Sequence, residues 1–121
     1  MQSNSYRDLV VWQKAMDLVV AVYAYTERFP QAEKYGLANQ MQRAAVSIPS
    51  NIAEGQKRGS SKEFLQFLRI SYGSGAELET QLEICRRLPK LRDLDYTQTE
   101  ALLEQVMKML NVLVSSLKRM L

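Results

Sequence analysis

The sequence contains no histidine, and this absence excludes several kinds of catalytic and metal site. Serine–histidine and cysteine–histidine nucleophile pairs both need an imidazole as their base. Histidine-ligated zinc sites and the glutamate–histidine ligand sets of di-iron helical bundles are excluded for the same reason. The sequence therefore favours a protein that is not an enzyme and that uses no metal or other cofactor.

Cysteine and long apolar runs are also scarce. Cys85 is the single cysteine, so no disulfide can form within the chain, as is usual in a reducing compartment. The longest apolar run covers residues 18–25, far fewer than the roughly 20 residues that a membrane-spanning helix needs. Residues 1–8 lack the apolar core of a signal peptide. These features predict a cytoplasmic protein with no membrane partner.

The chain is nonetheless long and apolar enough to build a core. With 121 residues, of which 46% are hydrophobic, it predicts one domain over residues 1–121. The net charge of +3 comes from 16 basic and 13 acidic residues, and the excess is concentrated in residues 30–59. The charged residues of that segment are Lys34, Arg43, Lys57 and Arg58 against Glu33 and Glu54. This mild excess permits a nucleic-acid partner.

Apolar residues recur at helical spacing in four segments, and no segment alternates as a strand does. The first predicted helix begins near Ser5, whose side chain caps it, and is stopped by Pro30. The second runs from about Gly36 to Arg58 and is capped by Gly59.

Two capping boxes mark the starts of the third and fourth predicted helices. Ser60 and Glu63 form the first box, and Thr97 and Glu100 form the second. Pro89 ends the third helix. Because the connections are short, we expect an all-α, up-down-up-down antiparallel four-helix bundle.

The first predicted helix has more apolar surface than one bundle position requires. One apolar line is Leu9, Trp12, Met16, Val19 and Tyr23, and the other is Val11, Ala15, Leu18, Val22, Tyr25 and Phe29. A helix on the surface of a bundle buries a single stripe. The second apolar line predicts either a larger hydrophobic core within one chain or, as we favour, packing against another copy in a homo-oligomer.

The stretch SIPSNIAEG, residues 47–55, places Pro49 inside the second helix. A proline there removes a backbone donor and costs about 3 kcal/mol. Because Ile48 and Ile52 continue the apolar line, we expect the helix to bend and continue. The freed carbonyl groups are expected to accept hydrogen bonds from Ser47, Ser50 and Asn51.

Gly73 and Gly75 are unfavourable inside the third helix, as Pro49 is inside the second, since each glycine costs about 1 kcal/mol relative to alanine in a helix interior. We expect them to admit the close approach of the second helix, where Ala44 and Ala45 offer a matching small surface.

A line of polar residues follows the second helix in steps of three or four. This polar stripe consists of Gln40, Arg43, Ser47, Asn51, Glu54 and Arg58. A solvated helix face explains it most simply, and a functional surface or a buried network is the alternative. Arg43 and Glu54 lie too far apart to pair, so they need a ligand or partners such as Glu77 or Glu79.

Other reactive or charged residues have simpler interpretations. Cys85 lies on the apolar line of the third helix and is expected to be an inert core residue. Helical spacing predicts surface ion pairs between Glu83 and Arg87 and between Glu104 and Lys108.

Three segments, residues 8–18, 29–64 and 72–83, resemble the bacterial four-helix-bundle family encoded by intervening sequences of 23S rRNA genes. The segment RAAVSIPSNIAEG carries the most specific part of the likeness. The resemblance implies a homopentameric ring of antiparallel bundles. A similar protein, the accessory variability protein of diversity-generating retroelements, is also a basic pentamer and binds nucleic acid and a reverse transcriptase. By this analogy RNA or DNA, or a protein, is an expected partner.

The leading hypothesis is therefore a nucleic-acid-binding homo-oligomer. The residues expected to contact phosphates around the turn between the second and third helices are Arg43, Lys57, Arg58 and Lys62. The start of the third helix adds backbone donors there. The alternative is a protein-interaction scaffold that binds no nucleic acid, and an enzyme ranks last.

Overall fold

The computed structural model describes residues 5–121. Residues 1–4, which belong to the predicted domain and to the stretch 1–8 considered above as a signal peptide, lie outside the described residues. The four α-helices of the described range are α1 (Val10–Thr26), α2 (Leu37–Lys57), α3 (Ser61–Arg87) and α4 (Thr97–Met120). Short 3₁₀ turns cover Tyr6–Asp8 and Gln31–Glu33. No strand occurs within residues 5–121, so the predicted all-α class is confirmed. No helix in that range is long and apolar enough to cross a bilayer.

The first helix begins later than predicted. Ser5 caps the 3₁₀ turn instead, where its Oγ accepts a hydrogen bond from the Arg7 backbone N–H at 3.1 Å. Leu9 is extended, with φ −74° and ψ 124°, and separates this turn from α1. The prediction of a helix start near Ser5 was wrong because a local serine cap serves a short turn as well as a long helix.

One of the two predicted capping boxes is present at the start of α3. The Ser60 Oγ accepts from the Glu63 N–H at 3.2 Å and donates to the Glu63 carboxylate at 3.1 Å. Gly59, with φ +88°, ends the preceding helix as predicted. The box expected at α4 is wrong, because Thr97 is already helical and its N–H donates to the Asp95 carboxylate at 3.0 Å.

Each helix packs on two neighbours, with α1 and α3 both placed between α2 and α4. One apolar core fills the space between them, and Leu18, Ile48, Leu78 and Leu110 are fully buried members of it, one from each helix. Residues later in α2 contact residues earlier in α3: Ser47 lies opposite Ser74, and Gly55 lies opposite Phe67. This order favours the predicted antiparallel arrangement of those two helices.

The second helix continues through Pro49, as expected. The Asn51 Nδ2 donates to the Ser47 carbonyl at 2.8 Å. The carbonyl that Pro49 frees is instead that of Ala45, so this bond does not confirm the predicted one. A further donor comes from the neighbouring helix, since Ser71 Oγ donates to the Ile48 carbonyl at 2.9 Å. The backbone around Pro49 is therefore stabilised by α3 as well as by α2 itself.

The glycine that permits close packing of α2 on α3 is Gly55, contrary to the prediction for Gly73 and Gly75. A Cβ atom at Gly55 would lie 2.6 Å from the Phe67 Cβ, which is anchored to the α3 backbone. Gly75 instead faces α4 and makes room for Met107, and Gly73 faces open space. The prediction failed because spacing along one helix does not reveal which neighbour each position meets.

Substituting Gly55 and Gly73 by alanine should have opposite effects on the free energy of unfolding. Gly55→Ala forces α2 away from Phe67, and we expect a loss of about 1–3 kcal/mol. Gly73→Ala meets no atom and gains helix propensity, so we expect a gain of about 0.5–1 kcal/mol. Urea unfolding at one fixed protein concentration measures both. A stabilised Gly55→Ala variant would contradict the close approach.

Candidate nucleic-acid interface

The N-terminal 3₁₀ turn packs beside the C-terminal end of α2 and creates an open cleft of about 750 Å³ next to the α2–α3 turn. The residues that line this turn cleft are Ser5, Tyr6, Arg7, Gln56, Lys57, Gly59, Ser60, Ser61 and Phe64. Packing thus brings the cationic side chains of Arg7 and Lys57 to one cleft, although they are far apart in the sequence.

Arg7 is held in place by its neighbours. Its guanidinium lies over the Tyr6 ring, 5.2 Å from the ring centre, and the Tyr6 ring contacts Trp12 edge-on at 5.2 Å. The Gln13 Nε2 donates to the Arg7 carbonyl at 2.9 Å. No carboxylate pairs with Arg7 among residues 5–121. Sequence reasoning missed Arg7, because only tertiary packing places it beside the α2–α3 turn.

The three basic residues predicted at the turn differ in how their charge is compensated. Lys57 and Lys62 are exposed and form no ion pair in the described part of the chain. Arg58 lies 2.7 Å from a Glu54 carboxylate oxygen and 3.9 Å from one of Glu63. Its hydrogen bond to Glu54 raises the pKa of Arg58 above its usual range. The two lysines are thus more available to a phosphate than Arg58 is.

Arg43, the fourth predicted basic residue, lies elsewhere. At ~1.5 Å of rise per residue it is roughly 20 Å from Lys57 along the axis of α2. It borders a shallow depression together with Tyr23 and Val46. The predicted basic residues therefore do not form one patch: three surround the turn and Arg43 lies apart.

The polar stripe of α2 divides into parts with different surroundings. Ser47 is half-buried, and its hydroxyl lies 2.8 Å from that of Ser74 on α3. Asn51 donates to the Ser47 Oγ at 3.0 Å, so these residues form a small network between α2 and α3. Gln40 is exposed, as expected for a solvated face.

The remaining members of the predicted network do not meet. Glu54 pairs with Arg58 on its own helix. Glu77 is exposed on α3, and Glu79 lines a cleft on the α4 side of that helix. Within residues 5–121, Arg43 pairs with neither glutamate.

An apolar groove of about 340 Å³ runs between α1 and α2. The residues that line this α1/α2 groove are Tyr6, Trp12, Met16, Val19, Val46, Pro49, Ser50 and Ala53. One of the two apolar lines of α1, from Val11 to Phe29, is buried in the core. The other borders the groove, and Met16 and Tyr23 on it stay 39% and 42% exposed.

A second cleft, of about 450 Å³, lies between α3 and α4. The residues that line this α3/α4 cleft are Tyr72, Glu79, Leu82, Arg86, Glu100, Leu103, Glu104, Met107, Lys108 and Asn111. Arg86 pairs with Glu100 across it, and Lys108 lies 2.9 Å from Glu104. The predicted pair of Glu104 with Lys108 is thus confirmed, as is that of Glu83 with Arg87 at 3.0 Å.

Comparison with models of protein families identifies the family of the chain. The model of the family described as 23S rRNA-intervening sequence protein matches residues 7–112. The chain belongs to this family. The matched region covers α1, α2, α3 and most of α4, and it includes every residue of the turn cleft except Ser5 and Tyr6. No curated protein matches the sequence.

The single thiol of this family member is buried, as predicted. Cys85 Sγ lies 3.7 Å from the Met41 Sδ, and burial raises the pKa of the thiol. A protonated thiol is a weak nucleophile. Among residues 5–121, no three or more cysteine, aspartate or glutamate side chains are grouped as metal ligands would be.

A second buried polar group lies close to Cys85. The Tyr25 ring contacts Tyr96 edge-on with 5.0 Å between ring centres, and the Tyr96 hydroxyl donates to the Leu91 carbonyl at 2.8 Å. The Tyr25 hydroxyl is enclosed near that of Thr99, and neither has a hydrogen bond of good geometry within residues 5–121. Burial raises the pKa of Tyr25 to about 12, although nearby Thr99 partly offsets this.

Tyr25→Phe should make the chain less sensitive to alkaline pH. The folded state keeps the phenol neutral to about pH 12, whereas an unfolded tyrosine ionises near a pKa of about 10. Stability from this neutral phenol is therefore complete below pH 10 and is lost as pH rises toward 12. We expect wild type to lose about 2 kcal/mol more than Tyr25→Phe over this window, measured by urea unfolding.

Neutral pH supplies the control for that experiment. At pH 7, Tyr25→Phe should be at least as stable as wild type, because it removes an enclosed hydroxyl without a partner. Tyr96→Phe removes a hydrogen bond and should cost about 1 kcal/mol. A clear loss of stability in Tyr25→Phe at pH 7 would show that its hydroxyl is bonded.

Proposed function

We propose that this chain is a non-enzymatic, cytoplasmic homo-oligomer of up-down-up-down antiparallel bundles whose turn cleft binds RNA or DNA. The observation that carries the proposal is that Arg7 and Lys57 line the turn cleft, with Lys62 beside it in the first turn of α3, and that none of the three has a carboxylate partner in residues 5–121. Unpaired cations on a concave surface attract the phosphate backbone of a nucleic acid.

The chemistry of the turn cleft suits a phosphate. Arg7 offers a planar set of donors that can bind two phosphate oxygens at once, and Lys57 adds a point charge. The N–H groups of Ser61 and Lys62, which precede the capped N–H of Glu63, have no partner within the helix and lie at its positive dipole end. Tyr6 supplies an aromatic surface at the edge of the cleft, on which an unpaired base can stack.

Assembly strengthens this proposal, because one cleft neutralises only a few phosphates. Several copies on one nucleic acid multiply a weak affinity through a high effective concentration. The incompletely covered apolar residues along the α1/α2 groove support self-association. The resemblance noted above implies a ring of five, and we propose that number together with the kinship to the accessory variability protein.

Light scattering after size-exclusion chromatography tests the assembly directly. We expect more than the single-chain mass, because the apolar residues of α1 outside the core need a cover, and the resemblance implies five times that mass. Absorbance at 260 and 280 nm, recorded on the same peak, reports nucleic acid that purifies with the protein. A single-chain mass across the whole dilution series would contradict self-association.

Fluorescence anisotropy with single-stranded RNA and DNA of the same sequence tests nucleic-acid binding across a salt series. Lys57→Ala and Arg7→Ala should each weaken binding and lower the slope of log K against log salt by about one, because each removes one phosphate contact. Arg58→Ala should have a smaller effect because Glu54 already pairs with that guanidinium. Lys90→Ala, in the α3–α4 connection, is the control that should change neither quantity. Absence of salt-dependent binding at low ionic strength would refute the proposal.

The position of Arg43 favours the second candidate, a protein-interaction scaffold. It lies far from the turn cleft and beside the apolar surface of α1 and α2. Under this alternative, Arg43→Ala disturbs assembly or partner binding, and the wild-type chain itself shows no salt-dependent binding of RNA or DNA. Capture of partners with and without nuclease treatment separates the two candidates.

A further inference from the structure

The α1/α2 groove and the α3/α4 cleft lie on opposite faces of the bundle. This follows from the helix contacts, because α1 and α3 each pack on α2 and on α4. Both faces carry an exposed tyrosine, Tyr23 on one and Tyr72 on the other, with 42% and 40% of each residue exposed. Each face therefore has aromatic surface that the bundle does not cover.

The two faces also carry uncompensated charges of opposite sign. Arg43 is the one charged side chain among the described residues that line the α1/α2 groove and its extension at Tyr23. In the α3/α4 cleft, Arg86 and Lys108 are paired with Glu100 and Glu104. Glu79 is left without an ion-pair partner in residues 5–121, on the same cleft as Tyr72.

We propose that the α1/α2 groove of one copy packs on the α3/α4 cleft of the next copy, with Arg43 opposite Glu79. The inference rests on the self-association proposed above and specifies its two surfaces. Contact between two groove faces would instead leave Arg43 without a carboxylate partner, because no acidic side chain is among the described residues that line that face.

Contact between unlike faces leaves one free groove and one free cleft at the ends of any short assembly. Such a contact repeats from copy to copy and closes into a ring when the rotation between copies allows it. The α3/α4 cleft of the next copy also covers Trp12 and Met16, which line the groove and are only partly buried within one chain.

Charge reversal tests the pairing of Arg43 with Glu79. Arg43→Glu and Glu79→Arg should each weaken self-association roughly tenfold or more, and the double variant should restore it. Lys90→Glu and Asp93→Arg make the same charge changes in the α3–α4 connection and should leave the mass unchanged. Light scattering over a dilution series measures the mass, and circular dichroism verifies that each variant is folded.

Cysteine cross-linking tests the same contact without a charge reversal. A mixture of the Arg43→Cys and Glu79→Cys chains should form disulfide-linked dimers under mild oxidation, and neither chain alone should do so. Cys85 does not interfere, because it is buried. Linked dimers from Arg43→Cys alone would show contact between like faces and overturn the inference.

The possible failures are distinguishable. A wild-type chain that stays single removes the proposed self-association together with this interface. A second outcome is a wild type that assembles, charge reversals that do not dissociate it, and mixed cysteine variants that form no disulfide-linked dimers. That outcome overturns this inference and leaves the proposed oligomer intact.

Discussion

The close packing of α2 on α3 is the contact on which the rest of the bundle depends. Gly55 has no side chain, so the Phe67 side chain can lie against the α2 backbone. Nearby, Ser71 and Ser74 reach α2 with short hydroxyl side chains, and they form hydrogen bonds with the Ile48 carbonyl and the Ser47 hydroxyl, which both precede Pro49. A proline that weakens a long helix thus lies next to a backbone carbonyl group that a second helix hydrogen-bonds.

This packing decides which polar groups remain available for a partner. The middle of the polar stripe is used between α2 and α3, and its C-terminal end forms the Glu54–Arg58 ion pair. Exposed ion pairs of this kind add little stability, but they compensate charge. Among the basic residues of α2 and around the α2–α3 turn, Lys57, Lys62 and Arg43 form no ion pair within residues 5–121, and Arg7 lies across the turn cleft from Lys57.

The same arrangement separates two kinds of surface. The turn cleft is polar and cationic, whereas the α1/α2 groove is almost wholly apolar. Tyr6 lines both, so the N-terminal turn forms the boundary between the proposed phosphate-binding surface and the proposed assembly surface. The charged residues of the two proposed surfaces, Arg7 and Lys57 in the cleft and Arg43 beside the groove, therefore do not overlap.

The sequence by itself determined the helical class, the number of helices and most of their ends. Helical spacing, Gly59 and the Ser60 cap are local signals that need no knowledge of neighbours. It also indicated that α1 has two apolar lines, because that depends only on residue order. It did not show which line is buried, which helix lies opposite Gly55 and Gly75, or that Arg7 meets Lys57. Those facts depend on how the helices rotate and pack against each other, and only the tertiary structure decided them.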